Sequence, residues 1–143
     1  MSSSKPFTPE GIFADGLDAT TVENPYTGEK AFARKGTVAA TLKNIALLNE
    51  LLSKSDHSKE VDKILQEVPK LFPSLIAIGV FDFFEPLEWI ANNQQPGRQL
   101  VGLLFLETHL ERLSDGLFQD LKAMDLKAQH PRVQEALTRI VGI

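Results

Sequence analysis

Residues 37–52 read TVAATLKNIALLNELL, and the spacing of their apolar side chains decides the fold class. Val38, Leu42, Ile45, Leu48 and Leu52 recur at intervals of three and four, the period that lines one face of an α-helix. Lys43, Asn44, Asn49 and Glu50 fall elsewhere around the cylinder. Thr37 reads as the N-cap, its hydroxyl able to accept an amide of the first turn.

The same period continues downstream. The polar run from Ser53 to Ser58 ends the first helix. A second sets Val61, Ile64, Leu65 and Val68 against Lys59, Glu60, Asp62 and Lys63. Pro69 and Pro73 end or kink it, because proline lacks an amide proton and its ring clashes with the preceding turn. Ser74 reads as the cap of a short helix through Leu75, Ile76, Ile78, Val80 and Phe81, apolar nearly all round as befits a central element. Pro86 opens another short helix with Glu88 near the positive end of its dipole. The helix from Arg98 is apolar all round through Leu106, then narrows to Leu106, Leu110, Leu113 and Leu117. Ser114-Asp115-Gly116 leaves open whether residues 98–128 form one helix or two. Pro131 starts an amphipathic helix with Val133, Ala136, Leu137, Ile140 and Val141 on one face.

Residues 1–36 differ. Pro6, Pro9, Gly11, Gly16, Pro25, Gly28 and Gly36 punctuate them too densely for a long helix. Asn24-Pro25-Tyr26-Thr27-Gly28 reads as a turn between Thr20-Thr21-Val22 and Lys30-Ala31-Phe32-Ala33-Arg34, so this arm can form a short hairpin. Phe7, Phe13 and Phe32 suggest that it lies on the domain. The expectation is an all-α fold: a single compact bundle of five to seven helices over residues 37–143, preceded by an extended N-terminal arm over residues 1–36 packed across it.

A chain of 143 residues fits one domain, and 43% hydrophobic with 24% charged residues is ordinary globular composition. The net charge of −4, with Lys and Arg dispersed, argues against a nucleic-acid partner, which calls for a concentrated basic face. The absence of cysteine excludes disulfides, thiolate metal sites and cysteine nucleophiles, and suits a reducing compartment. The most membrane-like stretch, Leu71 to Ala91, is interrupted by Pro73, Asp82, Glu85, Pro86 and Glu88, and the N-terminus lacks a secretory apolar run. The expectation is therefore a soluble, cytoplasmic protein with no membrane and no nucleic-acid partner.

Chemistry is harder to read. No phosphate loop, dinucleotide turn, nucleophile elbow or zinc-protease helix occurs. On a regular helix Glu107 and Glu111 share a face while His109 points away from both, so they do not converge on a metal; no metal and no cofactor are expected. His57 and His130 have no serine or carboxylate partner identifiable by spacing. Arg34-Lys35-Gly36-Thr37 sets two cations, a glycine and a hydroxyl at a helix start, a composition able to hold an anion. Asp82, Glu85 and Glu88, with His109, are the candidate polar groups of a pocket, where paired carboxylates can do acid–base work if burial separates their pKa values.

The most distinctive segment runs from Lys70 to Arg98. No basic residue lies between those two, and the acids are set among Phe72, Phe81, Phe83, Phe84 and Trp89. Most of these rings should be core, with Phe83, Phe84 or Trp89 the candidates for an interface. The leading expectation is a small non-enzymatic protein acting through protein contact, as a homo-oligomer, adaptor or neutralising partner. The alternative is a helical domain binding a small molecule or anion, or a small enzyme using its acidic residues.

Overall fold

Asn24-Pro25-Tyr26-Thr27-Gly28 does turn the chain. In the computed structural model, which describes residues 19–34, 36–54 and 57–142, strands β1 (Ala19–Glu23) and β2 (Lys30–Arg34) pair antiparallel, with Thr21 opposite Phe32 and Glu23 opposite Lys30. The turn closes through Gly28 N–H donating to Asn24 O at 2.8 Å and Asn24 N–H donating to Glu29 O at 2.7 Å. Gly28 takes φ +76°, a conformation that disfavours any side chain. The other regular elements among the described residues are helices, so the fold is all-α. Phe7, Phe13 and the side chain of Phe32 lie outside the described residues.

The contacts divide the chain into two units, one up to Glu85 and one from Pro86. Within the first unit, β2 packs along a helix, α3. A two-stranded ribbon is marginal by itself, and this packing supplies the apolar face it lacks. That unit contains α1 (Thr37–Leu52), α2 (Ser58–Glu67), a 3₁₀ turn over Val68–Leu71, α3 (Phe72–Ala77) and a single α-turn, Val80–Phe83. Pro69 and Pro73 end α2 as expected and occupy the first turns of the pieces that follow. Leu48, Ile64, Val68, Leu71, Phe72, Leu75 and Phe81 are fully buried.

Two readings of α1 are corrected. Its cap is Gly36, with no side-chain cap bond, and Thr37 is the first helical residue, buried, its hydroxyl without a hydrogen-bond partner among the described residues. The buried face is also rotated from the one the spacing picked. Ile45, Leu48 and Leu52 are buried as expected, but Ala40, Thr41, Asn44, Leu47 and Leu51 join them, while Val38 and Leu42 are exposed, Leu42 by 60%. Thr41 and Asn44 tolerate burial because each bonds back to its own helix: Thr41 Oγ1 donates to Thr37 O at 2.8 Å and Asn44 Nδ2 to Ala40 O at 3.0 Å.

The second unit contains α4 (Pro86–Ile90), α5 (Pro96–Thr108), a 3₁₀ turn over Leu110–Arg112, α6 (Asp115–Lys122), a 3₁₀ turn over Leu126–Ala128 and α7 (Pro131–Val141). The apolar start of α5 is core: Leu100, Val101, Leu103, Phe105 and Leu106 are buried. The helix stops at Thr108, so residues 98–128 form two helices. Leu110, expected on its stripe, is 62% exposed. Ser114 caps α6 by accepting Leu117 N–H at 3.1 Å. Buried amides tie this unit internally: Gln99 Nε2 donates to Ile90 O at 2.7 Å and to Gln129 Oε1 at 2.8 Å, and Gln129 Nε2 donates to Asp125 O.

An unexpected cap opens α7. His130 Nδ1 accepts the Arg132 amide at 3.0 Å and so caps the first turn of the helix. His130→Ala is expected to lower stability by about 1 kcal/mol, and His130→Asn to retain most of it, as read by urea unfolding. Among the described residues, no helix is long and apolar enough to cross a membrane.

Candidate functional site

The chain between Gly79 and Pro86 is shaped by its two ends. Gly79 adopts φ +83° and starts the α-turn, and Pro86 disfavours helical geometry at Glu85, so the turn ends at Phe83 with Phe84 extended. Within that turn Phe81 points inward, edge-on to Phe72 with centroids 5.8 Å apart. Phe83 and Phe84 point outward, 61% and 46% exposed, in T-shaped contact at 4.6 Å and 80°.

A third ring comes from the hairpin. Tyr26, 52% exposed, lies 6.1 Å from Phe83, tilted by 47°. Asn24, 2% exposed, holds it there. Its Oδ1 accepts the amides of Tyr26 at 2.8 Å and Thr27 at 3.1 Å, fixing the turn, and its Nδ2 donates to Ile76 O at 2.8 Å and Asp82 Oδ2 at 3.1 Å, fixing the turn to the helical pieces. Gly79 makes room: a Cβ there would stand 2.8 Å from Tyr26 Cδ2. The result is a platform of three outward rings on a bonded support.

Only two of the three interface candidates are at the surface. Trp89 is 5% exposed, packed against Gly102 of α5, with the Arg98 guanidinium 5.6 Å from its centroid. Its place one turn into α4 turns it inward, as expected for most of these rings, and leaves Phe83 and Phe84 as the exposed candidates.

The polar candidates are divided. Asp82 and Glu85 belong to the first unit, Glu88 and His109 to the second. Asp82 is engaged by Asn24, whereas Glu85 and Glu88 are exposed, Glu88 in the first turn of α4. His109 follows the last residue of α5, its ring 5.1 Å from Phe105 and its Nδ1 3.3 Å from Glu111 Oε1. The Glu111 carboxyl sits below its ordinary range, chiefly through a hydrogen bond to its own backbone and secondarily through His109. Glu107 is clamped instead by Arg139, whose Nε and Nη2 donate to its two oxygens at 3.1 and 3.0 Å and whose guanidinium is thereby held above its usual range. Among the described residues no three His, Asp or Glu side chains cluster to hold a metal.

Of the anion candidates, Gly36 and Thr37 start α1 as described, while Lys35 and the side chain of Arg34 lie outside the described residues. Sequence reasoning missed Asn24 and Tyr26, although the turn that carries them was legible.

Residues 26–109 match a family model described as a domain of unknown function (DUF7709). The chain belongs to that family. All three rings of the platform lie inside the family region, Tyr26 at its first matched position, and Asn24 lies just before it. No curated protein and no solved structure matches the chain.

Proposed function

We propose that this family member works as a protein-contact module, with Tyr26, Phe83 and Phe84 as the anchoring surface. The observation that supports this is that three large aromatic rings, each about half exposed, lie in a row, Tyr26 beside Phe83 and Phe83 beside Phe84, on a bonded support. Single exposed apolar side chains are normal on a folded protein, whereas a contiguous group is a feature of contact sites. Aromatic anchors carry much of the binding energy at interfaces, and a ring already held in place loses little conformational freedom when a partner covers it. A cytoplasmic setting belongs to the same proposal and is supported by the cysteine-free composition.

The test is photocrosslinking in the source cells with benzoylphenylalanine at position 84, against the same residue at Gln119, an exposed position in α6. The expected result is a discrete adduct from position 84 only, lost when Phe83 is replaced by serine. Phe83→Ser should leave stability within about 0.5 kcal/mol, because the ring is mostly in water. Equal or absent adducts at both positions would overturn the reading.

A further inference from the structure

The charges beside the platform point to the chemistry of what covers it. From Leu71 to Gly97 the chain has neither lysine nor arginine, so the ionised groups flanking Phe83 and Phe84 in sequence, Asp82 and Glu85, are both negative. The turn that carries Tyr26 adds Glu29, with Lys30 next to it set opposite Glu23 in the hairpin. Aromatic faces carry the negative lobe of the ring quadrupole and attract cations. Exposed rings whose sequence neighbours, Asp82 and Glu85, are carboxylates complement a cation set beside apolar groups.

Resting on the contact reading above, we propose that the occupant is a basic segment of a different protein, with an arginine guanidinium on the Phe83 and Tyr26 rings and Glu85 as its carboxylate. Arginine fits better than lysine because its planar group stacks on a ring while its N–H fork meets a carboxylate. The other unit uses the same pairing internally, with Arg98 5.6 Å from the Trp89 centroid and Arg112 5.8 Å from that of Phe105. A second copy is the poorer occupant. A two-fold contact through these rings would bring Asp82 and Glu85 toward their own duplicates, setting like charges against one another.

The experiment is an amide NMR titration of the full chain with the capped tripeptide Ac-Leu-Arg-Leu-NH2 and its citrulline counterpart, which keeps the shape and removes the charge. Expected are perturbations at Tyr26, Phe83, Phe84 and Glu85, with the citrulline peptide at least tenfold weaker. Binding should disappear in Phe83→Leu, weaken severalfold in Glu85→Gln and weaken further with added salt. Equal binding of the two peptides, or shifts along the acidic surface that survive Phe83→Leu, would overturn the proposal. A position-84 crosslink in cells together with either result would leave the contact reading standing and remove only the basic partner. A crosslinked adduct of twice the chain's mass would do the same, by showing a second copy there.

Discussion

Asn24→Ala is expected to lower stability by about 3 kcal/mol and the melting temperature by roughly 6–12 °C. The substitution removes four hydrogen bonds at a residue that is 2% exposed. The four are unequal. The amides of Tyr26 and Thr27 lie in an exposed turn and can recruit water, so their loss costs little. Ile76 O and the Asp82 carboxylate are partly buried, and each loses a donor that water replaces less well, at roughly 1–3 kcal/mol each. Thermal unfolding followed by circular dichroism measures the total. Asn24→Asp separates the two roles of the amide: it keeps the acceptor that shapes the turn but sets a second carboxylate against Asp82. That variant should be less stable than Asn24→Ala at pH 7, because it adds a like charge beside Asp82 as well as losing the donor. A variant as stable as the parent chain would show that the Asn24–Asp82 bond is not part of what holds the hairpin.

The same residue marks where sequence reading stops. Asn24-Pro25-Tyr26-Thr27-Gly28 announces a turn because each residue's backbone preference is local, and the hairpin follows from it. What Asn24 does with its amide nitrogen depends on Ile76 and Asp82, more than fifty positions away, and no local preference encodes that distance. The helices are legible for a similar reason: Pro86 and Pro131 open helices and Pro69 and Pro73 punctuate the path, all through their own ring geometry. The inward face of α1 was misread because apolar spacing alone ranks Leu42 above Asn44. The structure reverses them, since Asn44 satisfies its side chain on its own helix and Leu42 leaves no unmet hydrogen bond when it faces water.

The aromatic segment shows the same division. Composition marked the segment from Lys70 to Arg98 as both core and candidate surface, and the structure splits it residue by residue: Phe72, Phe81 and Trp89 in, Phe83 and Phe84 out. The α-turn itself splits Phe81 from Phe83, which lie about 200° apart around it, and the chain leaves helical geometry at Phe84, ahead of Pro86. That logic is visible in the sequence only once the turn at Gly79 is known, where the positive φ and the Tyr26 ring, 2.8 Å from where a Cβ would stand, both call for glycine.

Gly102 gives the sharpest test of packing in the second unit. An alanine inside a helix ordinarily gains up to about 1 kcal/mol over glycine. At position 102 the added carbon would stand 2.8 Å from Trp89 Cβ and 3.0 Å from Ile90 Cγ1. Trp89 Cβ is bonded directly to the main chain, so it cannot swing aside as the end of a side chain would. Relief requires α4 to move off α5, and overpacking of this kind costs roughly 1–3 kcal/mol. Gly102→Ala is therefore expected to be net destabilising, by about 1–2 kcal/mol, and Gly102→Leu to prevent native packing of the unit. Because Trp89 is the only tryptophan in the chain, its fluorescence reports the displacement directly, as a red shift when α4 lifts and the ring is wetted. Gly116→Ala is the control of opposite sign. It lies in α6 with nothing within 4 Å of the new Cβ, so helix propensity acts alone and stability should rise by about 0.5–1 kcal/mol. If both substitutions stabilise, the close approach of α4 to α5 at Gly102 is wrong, and the burial of Trp89 loses the contact that accounts for it.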